Sequence, residues 1–270
     1  MSTHRFDRDT AVRRVADGVY EATFDRGWWI VVGPNGGYVA ATLLRALLET
    51  LGDPERAPRS LTVHYVSPAH EGPVRILTRV ERAGRSLSTL SARVEQDGKL
   101  VALALAAFAK ERPSARFADL HMPEVPPPES LERLTFASER SVPMRERLES
   151  RSVFGPLAVG SAEHALTGGW LRPAEPRIAD APFVALLCDA WPPAVSQHRA
   201  LAGGPFRGMP TVDLTIHFRA PVPADARPDE FYLGVFRSRT LSSGFVEEDG
   251  EIWTRSGLLL AQSRQLAMLI

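Results

Sequence analysis

Cysteine is nearly absent from this sequence, and long apolar runs are absent altogether. One cysteine, Cys188, occurs in 270 residues, which excludes an internal disulfide and a zinc cluster built from cysteines. No uninterrupted apolar stretch approaches the roughly 18 residues that a membrane-spanning helix needs. The first residues, "MSTHRFDRDTAVRRV", do not contain the apolar core of a secretory signal. We therefore expect a cytoplasmic protein with no membrane partner.

The sequence also has no excess of basic over acidic residues, or of acidic over basic residues. Lys+Arg and Asp+Glu each number 32, so the composition gives no reason to expect nucleic acid as a partner. The sequence contains no GxSxG nucleophile elbow, Walker phosphate loop, HExxH zinc motif or GxGxxG dinucleotide motif. These absences argue against a triad esterase, a nucleotide hydrolase, a metalloprotease and a dinucleotide-dependent enzyme. The composition that is present, 44% apolar and 24% charged, is ordinary for a globular protein with a full core.

The first half of the chain predicts extended segments around one long helix. The alternating stretch "VADGVYEATFDRGWWIV" is typical of a hairpin. In "GPNGGYVAATLLRALLETLGD" apolar residues recur at steps of three and four, which predicts a helix that begins near Asn35 and ends at Gly52. Four strands separated by turn residues are then predicted in "RSLTVHYVSP", "GPVRILTRVERAG", "SLSTLSARVEQDG" and "KLVALALAAFAK".

The second half repeats this order after a break. The Pro-rich, acidic "HMPEVPPPESLERL" indicates an extended connector. Beyond it, "RSVFGPLAVG" and "ALTGGWLRPAEP" predict strands, and "APFVALLCDAW" predicts a helix that stops at Pro192 and Pro193. Further strands are predicted in "TVDLTIHFRAP", "DEFYLGVFRSRTL", "GFVEEDGEIW" and "GLLLAQSRQLAML". Since "LTIHFRAP" (214–221) shares four of its eight residues with "LTVHYVSP" (61–68), we interpret the chain as an internal duplication.

The order and spacing of four segments resemble the acyl-CoA thioesterase II family and, more closely, its thioesterase-like double-hotdog relatives. The segments are "GPNGGYVAATLLRALLE", "PFVALLCDAWPPA", "TVDLTIHFRAP" and "EDGEIWTRSGLLLAQSRQ", and the resemblance covers nearly the whole chain. The periodicity predicts the α+β class. The resemblance implies a double hotdog, two tandem units in which a curved antiparallel sheet wraps a central helix. We expect an N-terminal hotdog over residues 1–114, a connector over 115–145 and a C-terminal hotdog over 146–270.

A carboxylate lies in apolar surroundings in the second predicted helix. Asp189 is the only charge in "APFVALLCDAW", at the edge of the apolar face that Phe183, Leu186 and Leu187 form. A buried carboxylate is costly unless it is paired or hydrogen-bonded, and perturbed carboxylates gather at active sites. The residues alone also allow an Asp that faces solvent near the helix end. The resemblance implies that Asp189 is the catalytic aspartate.

The resemblance implies two further catalytic residues, Thr211 and Gln265. Thr211 matches the residue that opens the family's strand motif, and its hydroxyl could hold a water against a carboxylate. Thr is also simply a good strand residue. Gln265 matches the family's catalytic glutamine in the last strand. Because Gln262 lies three residues earlier, the two amides face opposite sides of a regular strand, and only one of them reaches the site.

The start of the first helix offers a candidate substrate-binding site formed by Gly36, Gly37 and Tyr38. Free N–H groups at a helix start favour a developing oxyanion, and glycine lets a substrate approach the main chain closely. The two glycines are equally consistent with a packing role, in which they bring helix and sheet close together. Tyr38 either lines an acyl channel or fills the core.

Together with the resemblance, these residues predict hydrolysis of an acyl-CoA to a free acid and CoA. Asp189 would act as general base, and Thr211 and Gln265 would position the attacking water. No metal or organic cofactor is expected, because a thioester is already activated. The first alternative is a double hotdog that binds an acyl or lipid-like ligand without turnover. The second is a 3-hydroxyacyl dehydratase, for which the sequence offers no convincing His–acid pair. The resemblance also implies assembly into homo-oligomers.

Overall fold

The N-terminal half consists of a long helix with strands before and after it. A computed structural model describes residues 4–31, 33–115, 117–135, 142–204 and 206–270. The first helix, α1, was not expected from the sequence, whereas the hairpin, the long helix and the four strands were. The elements are α1 (Arg5–Asp9), β1 (Arg13–Ala16), β2 (Val19–Phe24), α2 (Gly36–Leu51), β3 (Ala57–Tyr65), β4 (Gly72–Ala83), β5 (Leu87–Gln96) and β6 (Lys99–Ala109).

The C-terminal half places a short helix between two groups of strands. Its elements are β7 (Leu148–Phe154), β8 (Ala165–Pro173), α3 (Ala181–Leu187), β9 (Thr211–Phe218), β10 (Tyr232–Ser238), β11 (Leu241–Ser242), β12 (Phe245–Thr254) and β13 (Leu259–Met268). The predicted order of elements is confirmed in both halves, and so is the α+β class. Of the helices in the described part of the chain, none combines the length and the hydropathy required to cross a bilayer.

The strands of the described residues join in one sheet, and the two halves meet at its centre. The strand order is β1-β2-β4-β5-β6-β3-β9-β13-β12-β10-β8-β7, with β11 paired to β12. The repeated segments lie in β3 and β9, which pair antiparallel with each other. Thr62 lies opposite Thr215, 153 residues later in the chain, and their hydroxyl oxygens are 3.0 Å apart. The neighbouring pairs are arranged symmetrically about these two residues, so the duplicated sequence builds both sides of one seam.

Helix α2 lies at the centre of the N-terminal half. Asn35 caps its start by accepting a hydrogen bond from the Tyr38 N–H at 3.0 Å. Gly52 ends it in the left-handed region, with a φ of +60°. The apolar stripe predicted from the sequence packs against β3, β4 and β5. Full burial of a leucine contributes roughly 1.5–3 kcal/mol, so Leu43 and Leu47, which are both buried, anchor the helix to the sheet.

Helix α3 is shorter than the sequence predicted, because it ends at Leu187 and not at Trp191. The last turn tightens, and the Asp189 N–H bonds to the carbonyl of Leu186, three residues back, at 3.1 Å. The Asp189 carbonyl is then bound by the side-chain amide of Asn35 at 2.6 Å. A partner from the other half of the chain therefore ends this helix, ahead of the two prolines that were expected to do so.

The segment predicted as a connector lies against the outer face of the C-terminal sheet. Its described part contains one short 3-10 turn at Pro128–Ser130 before residue 136. The indole N–H of Trp170 donates to the Pro126 carbonyl at 2.9 Å, and Met122 and Leu131 pack on the apolar cluster of that face. The connector thus covers side chains that would otherwise be exposed on the second half.

Candidate active site

The start of α2 and the end of α3 meet at Asp189. The Asn35 amide donates to the Asp189 carbonyl oxygen at 2.6 Å and to its Oδ2 at 2.8 Å, and the Gly37 N–H donates to Oδ2 at 3.0 Å. Asn35 is 2% exposed and also caps α2. One side chain therefore fixes both helix ends, and neutral donors hold the carboxylate at the positive end of α2.

These surroundings raise the pKa of Asp189 from its ordinary value of 3.8 to about 6. Burial is the largest cause, because a carboxylate loses its hydration in the interior. Hydrogen bonds from Gly37, Gly36, Gln265 and Asn35 favour the ionised form and oppose the rise of the pKa. A carboxyl with a pKa near 6 is mostly ionised at neutral pH and still able to accept a proton, as a general base must.

The structure brings Thr211 and Gln265 together with Asp189. Thr211 opens β9, Gln265 lies in the neighbouring strand β13, and the Thr211 hydroxyl donates to Gln265 Oε1 at 2.8 Å. The Gln265 amide hydrogen-bonds to the Asp189 carboxylate and is 4% exposed. Gln262, three residues earlier, is half-buried and lies on the other face of the strand. The register of β13 therefore turns Gln265, and not Gln262, toward Asp189.

A second carboxylate near the site, Glu248, is buried and was missed by sequence reasoning. It lies in β12 directly opposite Gln265 and is 4% exposed. The Gln265 Nε2–H donates to Glu248 Oε1 at 2.8 Å, and the Ala194 N–H donates to Oε2 at 2.6 Å. Burial raises the pKa of Glu248 to about 7, and the charge of Asp189 adds to the rise while the two hydrogen bonds oppose it. Two carboxylates thus share one amide.

Gly36 and Gly37 have different surroundings. A Cβ on Gly36 would lie 3.0 Å from Asp189 Oδ2 and 3.0 Å from the Tyr65 hydroxyl, so the absence of a side chain lets the main chain lie close to the carboxylate. A Cβ on Gly37 would lie 2.7 Å from the Leu186 carbonyl oxygen, so this glycine lets α2 pack closely on α3. The N–H groups of both glycines bind the Asp189 carboxylate. The sequence analysis considered that the two glycines bring helix and sheet close together. At Gly37 the close packing is instead between α2 and α3.

Tyr38 and Cys188 both lie in the core. Tyr38 is 0% exposed, its ring stacks on Trp28 with 5.4 Å between centroids, and its hydroxyl donates to the Asp9 carbonyl at 2.6 Å. It has no exposed surface for a substrate in this arrangement. Cys188 is buried beside Asp189, and burial raises the pKa of its thiol well above the usual range. It therefore stays protonated and does not supply a thiolate nucleophile.

The chain is similar to known proteins in sequence and in fold. The sequence model of the acyl-CoA thioesterase N-terminal domain matches residues 25–109, and that of the acyl-CoA thioesterase C-terminal domain matches residues 124–269. A conserved hot dog-fold protein of unknown function from Alicyclobacillus acidocaldarius is 31% identical, with a TM-score of 0.88 over 100% of this chain and 99% of that chain.

Two further proteins are similar over different lengths. The acyl-CoA thioesterase II TesB2 from Mycobacterium marinum is 21% identical and superposes with a TM-score of 0.78 over 98% of both chains, which shows the shared fold. The thioesterase-like protein TwmA of Talaromyces wortmannii is 32% identical over 97 residues, which are 35% of this chain. That match spans 28% of the TwmA length.

These similarities confirm a double hotdog of the thioester hydrolase class. The chain belongs to the acyl-CoA thioesterase family, whose N- and C-terminal domain models match its two halves in order.

Proposed function

We propose that this protein hydrolyses an acyl-CoA thioester to a free acid and CoA. The main support is the meeting of Asp189, Thr211 and Gln265 in one hydrogen-bonded group, drawn from a helix end and two neighbouring strands. A protein that only binds an acyl ligand does not need a half-buried base beside a hydroxyl and an amide. The arrangement therefore favours turnover over ligand storage, and the family supports acyl-CoA as the class of substrate.

The proposed nucleophile is a water molecule bound between Thr211 and Asp189. The Thr211 hydroxyl donates a hydrogen bond to Gln265 Oε1, so its oxygen can accept a hydrogen bond from the water. The second proton of the water points to the Asp189 carboxylate, which leaves a lone pair of the water oxygen for the thioester carbonyl. Positioning of this kind removes much of the entropic barrier to attack.

In this proposal Asp189 accepts a proton from the water and releases it again within one catalytic cycle. Asp189 takes a proton from the water as the water oxygen bonds to the carbonyl carbon, which gives a tetrahedral intermediate. The C–S bond of the intermediate then breaks, and the proton on Asp189 passes to the CoA sulfur. Asp189 is ionised again at the end of the cycle, and the products are the free acid and CoA.

The substrate in this proposal approaches over Gly36. The main chain at Gly36, which carries no side chain, lies beside Asp189 Oδ2, where the reacting carbonyl must come. We propose that a fatty acyl chain lies between helices and sheet when bound, and that arginines bind the CoA phosphates. We also propose a cytoplasmic role in fatty acid metabolism and assembly into homo-oligomers. The equal numbers of basic and acidic residues support a protein without a nucleic acid partner.

Release of the CoA thiol from acyl-CoAs of increasing chain length tests this function. Wild type is expected to hydrolyse at least one of them. Thr211→Val keeps the shape of the side chain but removes the hydroxyl, and is expected to lower kcat about 100-fold. Thr215→Val is the matched control, because Thr215 lies in the same strand but bonds to Thr62 at the seam. Absence of release from every acyl-CoA, or an equal loss in both variants, would contradict the proposal.

A further inference from the structure

The amide of Gln265 bridges two carboxylates on the inner side of the sheet. One N–H donates to Glu248 Oε1 at 2.8 Å, the amide also hydrogen-bonds to the Asp189 carboxylate, and its Oε1 accepts from the Thr211 hydroxyl. Every polar atom of this buried side chain is therefore engaged. Its orientation matters, because a flipped amide would turn its carbonyl toward a carboxylate.

Thr211 alone is not sufficient to fix that orientation. A hydroxyl donates or accepts, so Thr211 would bond equally well to the Nε2 of a flipped amide. A carboxylate is different, because its ionised form only accepts, and Glu248 Oε1 is the carboxylate oxygen that the Gln265 Nε2–H contacts at 2.8 Å. Glu248 is itself fixed by the Ala194 N–H, which donates to Oε2 at 2.6 Å and, as a backbone group, has no alternative orientation. The Ala194 N–H thus fixes the position of the Glu248 carboxylate, and the carboxylate fixes the orientation of the Gln265 amide.

We propose that Glu248 is a positioning residue, which acts through Gln265 to keep the amide N–H toward Asp189 and the amide carbonyl toward Thr211. This inference rests on the proposed hydrolysis for its catalytic consequence, but the orientation itself does not depend on turnover. The other charged groups that act on Glu248 are Asp189, across the amide, and Glu247, the adjacent residue in β12.

The variant Glu248→Gln replaces the carboxylate by an amide of the same size, so that one of its two hydrogen-bond acceptors becomes a donor. Its carbonyl must face the Ala194 N–H, since that backbone donor does not move, and its NH2 group then faces Gln265. Two donors would oppose each other, so Gln265 is expected to flip its carbonyl toward residue 248 and lose its N–H contact with Asp189. We expect kcat to fall by roughly 10–100-fold with KM within about twofold of wild type.

Glu247→Gln is the matched control. Glu247 lies on the opposite face of the same strand, where its Oε1 accepts from the Arg239 N–H at 2.8 Å. This variant is expected to keep wild-type kcat. In a Gln265→Ala background, Glu248→Gln is expected to cause no further loss, because a residue that acts only through Gln265 has nothing left to position. Equal kcat in wild type and Glu248→Gln, or full additivity of the two substitutions, would overturn the inference.

A measurement without substrate separates this inference from the proposed function. The side-chain ¹⁵N amide resonance of Gln265, assigned by its loss in Gln265→Ala, is expected to move with pH in wild type and to move clearly less in Glu248→Gln, where only Asp189 still titrates beside it. The same response in both proteins would overturn the inference even if hydrolysis is found. If wild type hydrolyses no acyl-CoA and the resonance still follows Glu248, the positioning role holds and the proposed function fails.

Discussion

Replacement of Asp189 by Asn is expected to make the protein more stable and, at the same time, far less active. Folding raises the pKa of the Asp189 carboxyl from 3.8 to about 6, so the folded chain binds this proton more tightly than the unfolded chain. The contribution of the group to folding is full below about pH 3.8 and is lost as the pH rises through about 6. Because a tenfold change in an equilibrium constant is worth about 1.4 kcal/mol, ionised Asp189 costs the folded protein about 3 kcal/mol near pH 8.

The neutral amide of Asn removes that cost but introduces a smaller one. Its carbonyl oxygen still accepts from the Gly37 N–H, whereas its NH2 group meets other donors, including the amide of Gln265. A mismatched donor costs about 1–3 kcal/mol when buried and less when half-buried. We expect the free energy of unfolding of Asp189→Asn to exceed that of wild type by about 1–2 kcal/mol near pH 8. No gain is expected near pH 4, where the wild-type carboxyl is protonated.

The same substitution removes the proposed base. General-base catalysis is worth about 10²–10⁴-fold, so we expect kcat to fall by that factor. Wild-type kcat/KM is expected to rise with pH between about 6 and 7, because Asp189 and Glu248 share the Gln265 amide and titrate as a coupled pair. Free CoA measured with a thiol reagent that works in mild acid gives the rates, and urea unfolding near pH 4 and pH 8 gives the stabilities.

Asp249→Asn is the control, because it makes the same substitution at a carboxylate that is paired with arginines, whereas the hydrogen-bond partners of Asp189 are neutral. Asp249 lies in β12, and its carboxylate is paired with Arg239 at 2.8 Å and Arg264 at 3.4 Å. This variant is expected to keep wild-type kcat and to gain no stability near pH 8. The reasoning is refuted if Asp189→Asn hydrolyses acyl-CoA at the wild-type rate, or if its stability differs from wild type by the same amount at both pH values.

Three further substitutions separate the roles of the residues around Asp189. Gly36→Ala puts a methyl group beside Asp189 and Tyr65, and is expected to lower kcat/KM by about tenfold or more with the free energy of unfolding within about 1 kcal/mol of wild type. Gly37→Ala drives a methyl group against the Leu186 carbonyl, and is expected to cost about 1–3 kcal/mol in urea unfolding. Equal stability of the two variants would contradict this division. Asn35→Ala removes a helix cap and two bonds to Asp189, so we expect it to cost about 1–3 kcal/mol and to move the rise of kcat/KM to higher pH. An unchanged pH profile would show that Asn35 does not act on the base.

Local signals in the sequence were sufficient for α2 and for the choice of Asp189. The apolar spacing, the cap at Asn35 and the terminal Gly52 all act within a few residues of the helix, and the structure has it over Gly36–Leu51. Asp189 could be selected as a candidate because its neighbours in the sequence are apolar, which predicts that its surroundings are buried. Such signals need no knowledge of which distant segments meet.

Contacts across the sheet could not be inferred in this way. Glu248 stands in the acidic stretch "EEDGE", which is typical of a solvated strand, and its partner Gln265 becomes a neighbour only through the register of β12 on β13. The one local signal was strand alternation, which puts Glu248 on the same face as the buried Val246. The early end of α3 has a similar origin, since Asn35 is 154 residues away from Asp189 in the chain.

Helices α2 and α3 contact each other at two junctions, and at each of them the start of one helix meets the other helix. The charges around each junction determine whether a carboxylate there can act as a base. At one, neutral donors surround Asp189 and its pKa rises to about 6. At the other, Asp180 caps α3 and lies 3.6 Å from Arg45 of α2, within a cluster that includes Arg177 and Asp7. Burial acts to raise the pKa of Asp7 as well, but the hydrogen bonds and charges of Arg177 and Arg45 bring it below its ordinary value. A carboxylate paired with arginines in this way is too weak a base to take a proton from water near neutral pH. Of these two junctions, the one whose donors carry no charge is therefore the one at which we propose the chemistry.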